Sequence, residues 1–443
     1  MAAVDLTALT ATEAAAEVAR GAISAEEFTR ACLDRIAAIE GDVQAFVHLD
    51  PAHALAQARA LDRLKANGER IGPLHGIPIG IKDIFDTADY PTEYGSPIFA
   101  GRRPDADATA VRKLREAGAV IIGKTVTTEF AYFHPGKARN PRDLKRTPGG
   151  SSSGSAAAVA AGMVPLAIGS QTNGSVIRPA AFCGVFAIKP SHGLISRAGA
   201  LTLSLNLDHV GAFARSIEDL ALILDVLVGQ DSADPDSRPY ASPSFQASAA
   251  EAPPIPPSYV LVRTPMWDKA DADTRTAIED LAKEVHAREA DLPDDYRAAW
   301  EAQRIIMATD MAHNLGAFLD KGGEASTRFR ELIAEGRKVT AVQYLAAVRD
   351  ARRYADGMTG IFEQLADAII TPSARGVAPL GIEATGDPVF CTLWSLTGYP
   401  SLNLPLLAND DGLPIGVQLV GAPGRDERLL RTGRALVRQL TEE

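Results

Sequence analysis

The chain has 443 residues, 46% hydrophobic and 23% charged, with a formal net charge of −11. That composition predicts a soluble globular protein with ample length for a large core, and the acidic balance argues against broad nucleic-acid binding through a basic surface. Cys32, Cys183 and Cys391 are far apart and odd in number, which argues against a disulfide framework or a zinc site and fits a reducing compartment. The N-terminus lacks the charged-then-apolar order of a signal peptide, and no run reaches about 18 apolar residues. A cytoplasmic protein with no membrane contact is expected.

Residues 1–66 read as N-terminal helices. Apolar residues recur at helical spacing over Leu6 to Arg20 and Ala25 to Glu40, with Ser24 as an N-cap, and 53–66 reads as a third helix. Ile77 to Lys82 is a short extended segment ending in a lysine. Thr109 to Ala117 reads as a helix and Ala119 to Ile122 as a buried strand. Residues 133–148 are loop. The small-residue stretch Gly149 to Pro179 follows. It begins with a Gly/Ser turn and an Ala-rich helix, Ala156 to Ala161, that Gly162 ends. A strand, Met163 to Ile168, and a second small-residue loop, Gly169 to Ser175, complete it.

Val185 to Lys189 reads as a strand and Ser216 to Val228 as a helix capped by Ser216. Residues 231–257, rich in Ser, Pro, Ala and Asp, read as a surface linker or excursion. Residues 258–263 read as a strand and 272–365 as charged helices. From Ala368 the strand and helix rhythm returns, with strands Ala368 to Thr371, Ser401 to Leu407 and Gly416 to Val420. Helices Val389 to Leu396 and Glu427 to Leu440 are interleaved with them. This predicts one large α/β domain over 1–443 with a mixed, mostly parallel sheet flanked by helices on both faces. The 272–365 helices would be an insertion or outer layer.

Two loops that bring hydroxyls and bare N–H groups together suit a nucleophile with an oxyanion hole. An isolated serine needs a base. None of the eight histidines sits in a recognisable triad frame, and no Gly-x-Ser-x-Gly elbow lies between a strand and a helix. A lysine can serve if desolvation keeps it neutral. Lys82, at the end of the apolar run Ile77 to Ile81, is a candidate. Local sequence alone favours the plainer reading, a solvated lysine at a strand end paired with Asp83 or Asp86.

Gly76-Ile77-Pro78-Ile79-Gly80-Ile81-Lys82-Asp83, Gly149-Gly150-Ser151-Ser152-Ser153-Gly154-Ser155 and Gly174-Ser175-Val176-Ile177-Arg178-Pro179 together resemble the amidase signature family. Lysine, first serine and second serine follow in that family's order, and further matches such as Lys189-Pro190 and Gly398-Tyr399-Pro400 spread the likeness over most of the chain. The resemblance implies an amide hydrolase without metal or other cofactor. Lys82 would be the base, Ser151 the relay serine on a cis peptide bond, and Ser175 the acylated nucleophile. The N–H groups of Thr172, Asn173, Gly174 and Ser175 would form the oxyanion hole. Ala131, Tyr132, Gln171 and Arg178 would contact a small or medium carboxamide or urea-like substrate.

Gln171 replaces the family's usual acid, and Asn173 stands where glycine is frequent. These departures bear on substrate choice. The alternatives are the amidase subunit of a glutamine-dependent tRNA amidotransferase, the one case that would bring a nucleic-acid partner, and a catalytically silent ligand- or partner-binding member. A homodimer is also compatible with the amphipathic N-terminal helices.

Overall fold

Branched apolar runs form the strands, and alanine-rich or amphipathic segments form the helices packed on them. The computed structural model describes residues 5–240, 244–320 and 324–441. The strands are β1 (Phe46–Leu49), β2 (Pro78–Lys82), β3 (Val120–Thr125), β4 (Leu166–Gln171), β5 (Phe186–Lys189), β6 (His209–Ala214), β7 (Tyr259–Arg263), β8 (Arg288–Asp291), β9 (Ala368–Pro372), β10 (Ser401–Ala408) and β11 (Pro414–Val420). They form a single 11-stranded sheet in the order β1-β3-β2-β4-β6-β5-β10-β11-β9-β7-β8.

The sheet is mixed, as expected, but parallel pairing is confined to two regions. β3, β2 and β4 are mutually parallel neighbours, and so are β9, β7 and β8. Between them, β4 through β9 pair antiparallel. The mostly parallel expectation assumes that every strand is followed by a crossover helix. The β10–β11 connection is instead a tight hairpin, with Gly412 N donating to Asn409 O at 2.9 Å. The segment joining β5 to β6 is irregular rather than helical.

Several local signals hold. Ser24 and Glu27 form a reciprocal capping box at the helix Ala25–Val43, and Ser216 caps Ile217–Leu227. Gly162 takes a φ of +68° just beyond the helix Ser153–Ala160. That helix is buried through Val159 and lies against β4, β3 and β2. It has no room to spare, because a Cβ on Gly154 would meet Ala45 O at 2.2 Å and Val126 N at 2.3 Å.

Residues 231–257 hold one helix, Phe245–Ala250, outside the coil expected there, and 241–243 lie outside the described residues. The 272–365 segment contributes helices Ala272–Glu284, Ala298–Asp320, Thr327–Gly336 and Ala341–Gln364, together with edge strand β8. Among the described residues no helix is long and apolar enough to cross a membrane.

Candidate active site

β2 is buried at every position, so its last residue, Lys82, arrives inside the protein. Its Nζ bonds to Ser151 Oγ at 2.6 Å and to Ser170 Oγ at 2.8 Å. Among the described residues no carboxylate lies within ion-pair distance of it. Burial drives its pKa well below the ordinary lysine range, and the negative charge of Asp208 opposes that shift. The pairing with Asp83 or Asp86 that local sequence favours does not occur. Asp83 faces Lys124 at 3.3 Å, and Asp86 binds Arg102.

Two other lysines are as deeply buried. Burial lowers Lys124 to about 8 and Lys189 to about 7. Each is occupied with backbone carbonyls: Lys124 donates to Phe85 O at 2.9 Å and Lys189 to Tyr399 O at 2.6 Å. Lys82 differs in facing only hydroxyls.

Ser151 follows a glycine pair, and the Gly150–Ser151 peptide bond is cis. Arg178 Nη2 donates to Gly150 O at 2.6 Å and Nη1 to Gly386 O at 2.8 Å, so the guanidinium holds the loop that carries Ser151. Burial lowers Arg178 to about 10, and its Nε has no hydrogen-bond partner among the described residues. Ser175 lies between β4 and the short helix Ile177–Cys183. Ser151 and Ser175, with Thr172, Asn173, Gly174 and Arg178, line one narrow cavity of about 20 Å³, room for about one water molecule. No histidine lines it.

Among the described residues no acceptor faces the N–H groups of Thr172, Asn173, Gly174 or Ser175, whereas those of Val176 and Ile177 both donate to Gln171 Oε1, at 2.8 and 3.0 Å. Gln171 Nε2 donates to Ser395 Oγ at 2.9 Å. Both ends of this amide are therefore spent inside the protein. Gln171 does not line the cavity, and its expected contact with substrate gives way to a structural role at the start of the following helix.

Ala131 and Tyr132 do line the cavity. Phe130 and Ala131 are held at φ of +49° and +53°, a region uncommon for residues other than glycine. Packing fixes this turn: Phe130 stacks on Phe329 with ring centroids 4.4 Å apart and stands edge-on to Phe99 at 6.1 Å. Cys391 is buried with Sγ on Ser373 O at 3.3 Å and does not reach the cavity.

Other residues of the site escape sequence reasoning. Ser170, expected in the small-residue loop, lies in β4; it is legible as a hydroxyl, though not as a partner of Lys82. Asp208 accepts from Thr172 Oγ1 at 2.6 Å and from the N–H groups of Leu203 and Ser204 at 2.8 and 2.9 Å. Burial raises its carboxyl to about 6 against those bonds. Met307, on helix Ala298–Asp320, lines the cavity, and Gln303 on the same helix accepts from Asn173 Nδ2 at 3.3 Å. Residues expected to form an insertion or outer layer thus wall the site. An open vestibule of about 620 Å³ adjoins the cavity, sharing Tyr132, Phe133, Asn173 and Met307 with it and adding Trp300, Gln303 and Val389.

The family model described as Amidase matches residues 27–430. A glutamyl-tRNA(Gln) amidotransferase subunit from Chloroflexus aggregans is 38% identical over 97% of this chain and 96% of its own length. Its counterpart from Acidothermus cellulolyticus is 36% identical over 98% and 94%. Among solved structures, the native peptide amidase of Stenotrophomonas maltophilia is 31% identical, with a TM-score of 0.84 over 98% of this chain and 97% of that one. A 6-aminohexanoate cyclic dimer hydrolase superposes with a TM-score of 0.88 at 28% identity, covering 99% and 98%. The similarity runs through whole chains and not through one motif, and on that ground the protein belongs to the amidase signature family.

Proposed function

We propose that the protein hydrolyses a C–N amide bond through an acyl-enzyme, with Ser175 as nucleophile, Ser151 as proton relay and Lys82 as base. The observation that carries this is the placing of Lys82: buried, unpaired with any carboxylate among the described residues, and bonded to Ser151 at 2.6 Å. A neutral amine there has one lone pair to accept the Ser151 hydroxyl proton and an N–H left to donate to Ser170. Ser151 Oγ, as it loses its proton to Lys82, takes that of Ser175 Oγ, which attacks the carbonyl carbon. The unpaired N–H groups of residues 172–175 receive the developing oxyanion, and one such donor is worth about 3–4 kcal/mol in the transition state. The proton returns along the same path to the leaving nitrogen. Water then hydrolyses the ester by the same route. Arg178, Ala131 and Tyr132 border the reacting atoms and are the proposed substrate contacts.

A screen of small carboxamides and ureas with ammonia detection tests this. Turnover that disappears in Ser175→Ala supports it; a panel with no Ser175-dependent ammonia release counts against it. A second reading is favoured by the relatives named as amidotransferase subunits: a polypeptide that releases ammonia from glutamine for a partner. It expects glutaminase activity only when a second subunit copurifies.

A further inference from the structure

Asn173 belongs to the loop that supplies the proposed oxyanion donors, yet its side-chain amide is directed away from that task. Its Oδ1 accepts from Thr392 Oγ1 at 2.8 Å, and its Nδ2 donates to Gln303 Oε1 at 3.3 Å. Its backbone carbonyl accepts from Ser395 Oγ. Gln303 is itself steadied by Thr172 O at 3.5 Å and Met307 Sδ at 3.6 Å. Two helices, Ala298–Asp320 and Thr392–Leu396, therefore both bond this one side chain. The same residue lines both the 20 Å³ cavity at Ser175 and the 620 Å³ vestibule. With Tyr132, Phe133 and Met307, it stands between a space with room for about one water molecule and a space that fits a whole small molecule.

We infer that Asn173, clamped by Thr392 and Gln303, is a size gate that restricts the acyl half of the substrate to a group of carbamoyl or acetyl size and leaves the larger half to the vestibule. This rests on the hydrolase reading above. The assignment of halves follows from the order of events: the amine leaves while the acyl group is still bound to Ser175, so the amine needs the open side and the acyl group keeps the closed one. One N–H of Asn173 Nδ2 and one lone pair of Oδ1 are bonded within the protein, which fixes the side chain in place, so that the space it occupies is unavailable to the substrate. One methylene too many in a closed pocket costs roughly 10- to 200-fold in kcat/KM.

p-Nitrophenyl esters test this without knowledge of the natural amine, because acylation of Ser175 releases p-nitrophenolate whatever the acyl group. The acetate and hexanoate esters are compared, and the ratio of their kcat/KM values is read within each variant, so that a general loss of rate cancels. The wild type is expected to favour acetate by at least about tenfold. Asn173→Gly and Asn173→Ala should each raise the hexanoate-to-acetate ratio by about tenfold or more. Thr392→Val, which releases one side of the clamp, should raise it by a smaller factor. The inference is overturned if the wild type takes hexanoate as readily as acetate, or if folded Asn173→Gly and Asn173→Ala both keep the wild-type ratio. Release of p-nitrophenolate that is the same in Ser175→Ala as in the wild type, for both esters, marks a different failure, that of the hydrolase reading itself.

Discussion

Among the described residues three lysines are fully buried, and of these only Lys82 lacks a carbonyl or carboxylate acceptor. A lysine whose pKa burial depresses holds its proton less firmly in the fold than in the unfolded chain. The unfolded state then holds more protons wherever the pH lies between the depressed folded value and the ordinary one of about 10.4, so stability rises with pH across that window. Replacing Lys82 with Met removes this cost. Lys82→Met should therefore melt at a higher temperature than the wild type near neutral pH, with the gap closing as pH rises, while its catalytic rate falls roughly 10²- to 10⁴-fold. Melting curves across a pH series read the first effect, and acylation rates read the second.

Thr172→Val should cost about 1.5–3 kcal/mol, because it removes a bond to the buried Asp208 carboxylate; denaturant titration measures it. Lys82 is legible in the sequence through the family motif around it, since the apolar run before it also fits a solvated lysine paired with a neighbouring aspartate. Gln171 is misplaced by sequence reasoning because a residue at a strand end has two faces to choose from. The N–H groups of Val176 and Ile177 that claim its amide exist only once the next helix has turned back toward it.

At the scale of elements, close approach decides which glycines are fixed. The helix Ser153–Ala160 sets the separation of the Ser151 and Ser175 loops, and Gly154 lets its first turn touch the backbone at Ala45 and Val126. Gly154→Ala should lower stability by about 1–3 kcal/mol or more and lower the catalytic rate with it. Gly360, inside the helix Ala341–Gln364, has nothing within 4 Å of where a Cβ would sit. Gly360→Ala should instead stabilise by roughly 0.5–1 kcal/mol with activity unchanged. Denaturant unfolding of the two variants beside the wild type checks both signs.

Strands with a branched apolar run can be read in advance. β8, Arg-Glu-Ala-Asp, cannot, since an exposed edge strand is held by backbone bonds to β7 and shows no alternation. β6 escapes because His209 and Gly211 interrupt its apolar pattern, yet it lies between β4 and β5 and is buried throughout. Helix Ala298–Asp320 is legible as a helix but not as a wall of the site, because nothing in its spacing says which neighbour Gln303 meets.

Across the whole molecule, the sheet joins the ends of the chain. β10 and β11, from the C-terminal part of the sequence, lie between β5 and β9 and supply the pairing that links the two parallel regions. A chain ending at residue 399 should fail to fold, leaving exposed edges on β5 and β9; its soluble yield and near-ultraviolet circular dichroism read this out. The same arrangement brings Lys82, the 149–179 stretch and the helices around 303 and 392 to one place. The motifs announce the chemistry, but the surroundings that select a substrate come from distant segments whose meeting no single stretch of sequence displays.

Activation of Ser175 by Lys82 through Ser151 is read out by treating the folded protein with a fluorophosphonate and locating the adduct by mass spectrometry. Modification is expected at Ser175 in the wild type, slowed roughly 10²-fold or more in Ser151→Ala and in Lys82→Met. An unmodified Ser175 in folded wild-type protein, or labelling at the wild-type rate in both variants, would contradict it.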